Sequence, residues 1–135
     1  MGKNESCLFV YGTLMPERGG LLGQVERRRL AREASRLGPA TIQGRLYCLG
    51  QYPGLIHSER TADVVHGEAL LLESPAATFS WLDEYEGGDP EIEEVYERVL
   101  RPIRLATGEI RMSWVYLYLR DIAAARLLAS GRWHR

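Results

Sequence analysis

Two strand-like segments carry a glycine near the middle: ATIQGRLYCLG at residues 40–50 and DVVHGEALLLE at 63–73. An interior glycine weakens a straight strand and marks a bulge or a tight bend. Two such strands in one short chain point to a sheet that curls toward a barrel. The rest of the pattern fits that frame. CLFVY, residues 7–11, reads as a buried strand that stops abruptly at Gly12, and residues 12–20 read as a loop by their glycines and proline. Residues 23–37 are expected to be a helix, with Leu30, Ala31, Ala34 and Leu37 at helical spacing and Gly38-Pro39 as its stop. QYPGLIHSER reads as a loop opening into a short strand.

A second helix is expected from Ser74, a good N-cap, through Pro75 at the first helical position to Gly87-Gly88. Residues 96–120 read as two strands around a Thr107-Gly108 turn, with Pro102 marking an edge or a bulge. A short helix over IAAARLLAS and the tail GRWHR finish the chain. The fold class is α+β, rich in strands, with two main helices.

At 135 residues the chain suits one domain with a real core. The charges nearly cancel, 17 Lys+Arg against 18 Asp+Glu, so composition gives no reason to expect nucleic acid or a membrane surface as a partner. The arginines at 27, 28, 29, 32 and 36 read as a solvated helix face. No apolar run approaches the ~20 residues of a membrane span. The first ten residues show no signal-peptide core. Two cysteines, Cys7 and Cys48, do not make a disulfide framework, and a reducing cytoplasm is the natural reading. Met1-Gly2 with Ser6 formally matches a myristoylation pattern, but nothing nearby supplies a second membrane signal.

One carboxylate stands out. Phe79, Leu82 and Glu86 are spaced three and four apart and share one face of the second helix. Phe79 and Leu82 belong in the core, which places Glu86 on the apolar stripe at the helix C-terminus. Asp83 and Glu84 fall off that line. Desolvation and the negative end of the helix dipole both favour the protonated form of such a carboxyl. Glu86 is then either a tuned acid/base in a pocket or a frayed helix end in water. Tyr116 and Tyr118 share one face of the last long strand, where they either line a pocket or serve cross-strand packing. His57, His66 and His134 show no metal-ligand spacing with one another or with the cysteines. No nucleophile elbow and no phosphate-binding loop is present. The acidic run from Asp89 to Glu94 reads as a solvated loop.

The sequence resembles the gamma-glutamylcyclotransferase-like proteins. The matching pieces are LFVYGTL at 8–14, YPGLI at 52–56, VHGEALLL at 65–72, LDEYEG at 82–87, YERVLRPI at 96–103 and WVYLY at 114–118. The order is the family's and nearly the whole chain is covered. The resemblance implies a single domain over residues 1–135, folded as a small mixed β-barrel with helices packed around it. It implies a loop of Tyr11, Gly12, Thr13 and Leu14 that binds a γ-glutamyl group through its backbone. It implies Glu86 as the catalytic acid/base, and Tyr116 beside the pocket with Tyr118 as its competitor in the alignment. The segment after Gly87 is longer than in the shortest family members.

The reaction so implied cyclises a γ-glutamyl group to 5-oxoproline and releases an amine or an amino acid. It needs no metal and no cofactor. The partner is a small γ-glutamyl molecule, and the protein is a monomer or a homodimer. A side chain at Gly12 is expected to block close approach of that ligand. The alternative is a non-catalytic small-molecule or interaction module on the same fold. Retention of Glu86 and of the full Tyr11–Leu14 loop speaks for the enzyme.

Overall fold

A computed structural model describes residues 5–12, 15, 23–50, 52–87 and 95–133. The elements run β1 (Cys7–Val10), α1 (Gln24–Glu33), β2 (Ala34–Gln43), β3 (Arg45–Cys48), β4 (Pro53–Ile56) and β5 (Val64–Leu72). They continue with α2 (Pro75–Gly87), β6 (Tyr96–Leu105), β7 (Ile110–Tyr118) and β8 (Arg126–Leu127). Five strands close into a mixed barrel in the order β1-β5-β2-β6-β7, and β4-β3-β8 form a separate small sheet. All barrel neighbours are antiparallel except β1 and β7, which run parallel where Leu8 lies opposite Trp114.

β1 is buried at every position because it has a core on each side. Cys7, Phe9 and Tyr11 join Ile42, Val65, Ala69, Ile103 and Val115 inside the barrel. Leu8 and Val10 face outward into a second cluster with Leu30 of α1, Leu70 and Leu72 of β5, and Phe79 and Leu82 of α2. Strand alternation supplies the two sets. This double burial is why the segment reads as a continuous apolar run rather than an alternating one.

The structure redraws three of the expected elements. The first helix ends at Glu33, and Ala34 to Arg36 pass directly into β2, paired with Leu72 to Leu70 of β5. Strand pairing there outweighs the helical spacing of Ala34 and Leu37. Arg36 is therefore on a strand, where it pairs with the buried Glu68, and does not share the α1 surface with Arg28 and Arg32. The expected strand 40–50 is two strands. A Cβ on Gly44 would lie 2.7 Å from the Ile56 carbonyl, and at this point the chain leaves the barrel for the small sheet. The expected C-terminal helix is instead a turn followed by β8, which pairs Leu127 and Arg126 with Tyr47 and Cys48. Nine residues are too few for an isolated helix to hold against that pairing.

The interior glycines act differently from each other. Gly67 stays in register opposite Ala40. A Cβ there would lie 2.3 Å from the Val10 carbonyl and 2.7 Å from the Phe9 ring, so it admits β1 at close range. The barrel's irregularity is at Leu37, where the β2–β5 register shifts between Arg36 and Gly38, and Gly38 adopts φ 117°.

Candidate active site

The parallel seam between β1 and β7 creates the site. Beyond Leu8–Trp114 the Tyr11 hydroxyl reaches across and donates to the Tyr116 carbonyl at 2.7 Å. The C-terminal turn of α2 and the start of β4 close over this end of the seam. Between them is a recess of about 80 Å³. Tyr11 and Gly12 form one wall, Tyr52 and Pro53 a second, Tyr85 and Glu86 a third, and Tyr96 with Tyr116 the floor. A larger recess of about 500 Å³ lies elsewhere, beside His66, Arg104 and Arg132, and its carboxylate Glu68 is ion-paired with Arg36. The smaller one holds the desolvated carboxyl Glu86.

Gly12 has a packing reason to be glycine. A Cβ there would lie 2.8 Å from Cγ of Pro53, closer than side chains pack. Pro53 is buried, and its carbonyl accepts the Tyr96 hydroxyl at 2.7 Å. The Gly12 carbonyl accepts the Met15 N–H at 3.1 Å, so the chain turns back at once after β1. Thr13 and Leu14, the rest of the expected binding loop, lie outside the described residues, as does the acidic segment from Gly88 to Glu94.

Glu86 is at the last turn of α2, on the same face as buried Phe79 and Leu82. It is half-buried and lines the recess, and the surrounding protein strips water from its carboxyl. That desolvation pushes its pKa from 4.5 up to about 8. At neutral pH the group is mostly a neutral carboxylic acid that can ionise at little cost. The nearby hydroxyls respond in kind. Burial, with the Glu86 charge adding to it, holds the Tyr11, Tyr96 and Tyr116 phenols well above their ordinary range.

Asp83 and Glu84 are both exposed, off the apolar face as the spacing predicts. Asp83 is nevertheless connected to the site. Its Oδ1 accepts the Tyr116 hydroxyl at 2.7 Å, and its carboxylate accepts two Arg98 N–H groups at 2.8 and 3.1 Å. The Arg98 guanidinium lies over Phe79 and Trp114, 3.8 and 4.2 Å from the ring centroids. Tyr118 instead packs edge-on against Tyr96 and against Gly54. Helical periodicity overlooked Asp83 because its contact is made beside the apolar stripe and not on it. The signal was its company: Asp83 and Arg98 stand in LDEYEG and YERVLRPI. Tyr52, Tyr85 and Tyr96 were overlooked because aromatics at strand and helix ends read as ordinary packing. Among the described residues no three His, Cys, Asp or Glu side chains converge as a metal site would require.

The comparisons with known proteins agree with this architecture. The chain is 32% identical over 129 residues to the gamma-glutamylcyclotransferase family protein YtfP of Escherichia coli strain K12, covering 93% of this chain and 94% of that protein. The solution structure of Escherichia coli ytfP superimposes with a TM-score of 0.60 at 29% identity, over 94% of this chain and 95% of that one. The crystal structure of an AIG2-like protein from Mus musculus gives a TM-score of 0.74 at 17% identity, over 96% and 88% of the two chains, a likeness of fold. The family model for "Gamma-glutamyl cyclotransferase, AIG2-like" matches residues 8–135, and the chain belongs to that family.

Proposed function

We propose that this protein cyclises a γ-glutamyl group to 5-oxoproline, releasing an amine or an amino acid, with Glu86 as acid/base. The observation that carries the reading is the Glu86 carboxyl at the last turn of α2, desolvated and facing the end of β1 across a small recess. The substrate's α-amine attacks its own γ-carbonyl, so a five-membered ring closes and the reaction is intramolecular. Holding the chain folded supplies much of the rate. What remains is proton traffic. An α-ammonium must lose a proton before it can attack, and a carboxylate whose pKa is raised to about 8 is a far stronger base toward it than an ordinary glutamate. The acid so formed can give its proton to the leaving nitrogen, so one group serves both steps.

In its ionised form Glu86 takes a proton from the α-ammonium, the freed amine attacks the γ-carbonyl, and the proton passes to the leaving nitrogen as the old amide bond breaks. The second ammonium proton, lost as the C–N bond forms, ends on the released amine, which departs as an ammonium. The carboxylate is restored and the products are 5-oxoproline and the amine. The backbone of the Tyr11–Leu14 loop is assigned to hold the γ-glutamyl group, and glycine at 12 leaves that backbone uncovered. The test is a coupled assay for 5-oxoproline over a panel of γ-glutamyl amino acids, γ-glutamyl-lysine isopeptides and γ-glutamyl amines. Turnover by wild type that collapses in Glu86→Gln supports the reading. A folded wild type that forms no 5-oxoproline from any member overturns it in favour of a non-catalytic binding module.

A further inference from the structure

We propose that Asp83, clamped by Arg98, is a positioning residue that turns Tyr116 into a pure hydrogen-bond acceptor, so that the recess selects its ligand by the α-ammonium group. The inference rests on the γ-glutamyl reading and adds to it which protein groups recognise the amine. A tyrosine hydroxyl has one proton to give and two lone pairs to receive. The Tyr116 proton is committed: Asp83, already paired with a guanidinium through two N–H bonds, is an acceptor, so the 2.7 Å contact is a donation from Tyr116. The Tyr96 proton is committed as well, to the Pro53 carbonyl at 2.7 Å. Both residues line the recess, and their hydroxyl oxygens have only lone pairs left to offer a ligand.

The Tyr11 proton is committed too, to the Tyr116 carbonyl at 2.7 Å. The floor thus presents two acceptors beside Glu86. An ammonium brings three N–H donors and satisfies all of these groups at once. A ligand with a hydroxyl or a methylene in that place leaves acceptors unsatisfied in a desolvated site, which is where discrimination is strongest.

Asp83 is exposed, and Arg98 is held in place by two aromatic rings. The pair acts from outside the recess, through the orientation of one hydroxyl. Asp83→Asn breaks that orientation. The Asn carbonyl stays with Arg98 and its amide group turns to Tyr116, which frees the Tyr116 proton to point into the recess. The hydroxyl then competes with the ammonium as a donor.

The experiment compares two ligands differing only in the amine, L-γ-glutamylethylamide and glutaric acid monoethylamide. Their affinities are measured by calorimetry in the Glu86→Gln protein, where turnover is suppressed. The amine-bearing ligand is expected to bind about tenfold more tightly, the worth of one charge-assisted hydrogen bond. Adding Asp83→Asn brings the ratio close to one and leaves the glutaric ligand's affinity unchanged. Adding Tyr116→Phe does the same, and it keeps the Asp83 charge, which separates acceptor geometry from long-range attraction. A purely structural role would weaken both ligands together. A tenfold ratio that survives either added substitution overturns the inference. So does a ratio of one in Glu86→Gln alone, or no binding of the amine-bearing ligand there, when wild type makes 5-oxoproline. If wild type makes none from any γ-glutamyl compound, the functional reading falls and this inference falls with it.

Discussion

The Tyr11 hydroxyl donates to the Tyr116 carbonyl at 2.7 Å, joining two residues 105 positions apart at the splayed end of the only parallel strand pair described in the barrel. That bond ties the wall of the recess to its floor. Tyr11→Phe keeps the ring and removes the oxygen. It leaves the Tyr116 carbonyl without its donor in the interior, a loss that costs about 1–3 kcal/mol. Urea unfolding should show a midpoint lowered accordingly with an unchanged slope, since the surface exposed on unfolding is the same. An unchanged midpoint would mean that the seam is held by packing alone.

Glu86→Gln should lower kcat by about 10²–10⁴, the usual worth of a positioned acid/base. The amide keeps the shape of the side chain and cannot exchange the proton. Glu84→Gln, exposed and off the apolar face, should leave the rate within about twofold. In wild type, kcat/KM should rise with pH through about 8 as free Glu86 becomes the base. A flat profile between pH 6 and 9, or near-normal turnover by Glu86→Gln, would remove Glu86 from the chemistry.

Stability should carry the same signature with a defined sign. The folded protein holds the Glu86 proton up to about pH 8, whereas an ordinary carboxyl releases it near 4.5. Between those values the folded state binds one proton more than the unfolded chain. Wild type therefore loses stability as pH rises through this window, by up to ~1.4 kcal/mol per pH unit, and the loss levels off above it. Glu86→Gln has no such dependence at this site. Thermal melts should show the variant gaining on wild type from pH 5 to pH 8. A constant difference across that range would show that the carboxyl is not desolvated.

Much of this site was legible in the chain. The three-and-four spacing of Phe79, Leu82 and Glu86 sufficed to place a carboxyl at the edge of the outer core, because helical geometry is local. The stop of the first strand before Gly12 was legible too, and Gly12 lines the recess against Pro53. What remained hidden depends on register between distant strands. Arg98 faces Asp83 only because β6 pairs with β7 so that Arg98 lies opposite Tyr116. The helix expected to run to Leu37 ends at Glu33 because β5 supplies a partner for Ala34, a fact absent from the local spacing. Glu33 then accepts Thr78 at 2.7 Å and the Trp81 indole N–H at 3.1 Å, fastening α1 to α2. Arg36 is exposed, as its charge suggested, but on a strand and not on the helix face, and its partner Glu68 is buried across the sheet.

Glycine at position 12 has two demands on it, and they can be separated. Bare backbone for the proposed γ-glutamyl ligand is one. The other is the Pro53 ring, whose Cγ would lie 2.8 Å and Cδ 3.1 Å from any Cβ at Gly12. Pro53 cannot yield freely, because it is buried and its carbonyl anchors the Tyr96 hydroxyl. Gly12→Ala should therefore destabilise the fold by about 1–3 kcal/mol, the cost of forcing a methyl into packed space. Pro53→Ala removes Cγ and Cδ and makes room for that methyl. The double variant should be more stable than the two single effects added together, with a coupling of about 0.5–3 kcal/mol. Ligand binding should not return with stability, because the methyl still covers the backbone. Additive stabilities would show that Pro53 is not what requires a glycine. Restored binding of a γ-glutamyl ligand by the double variant would show that the ligand never needed the bare backbone.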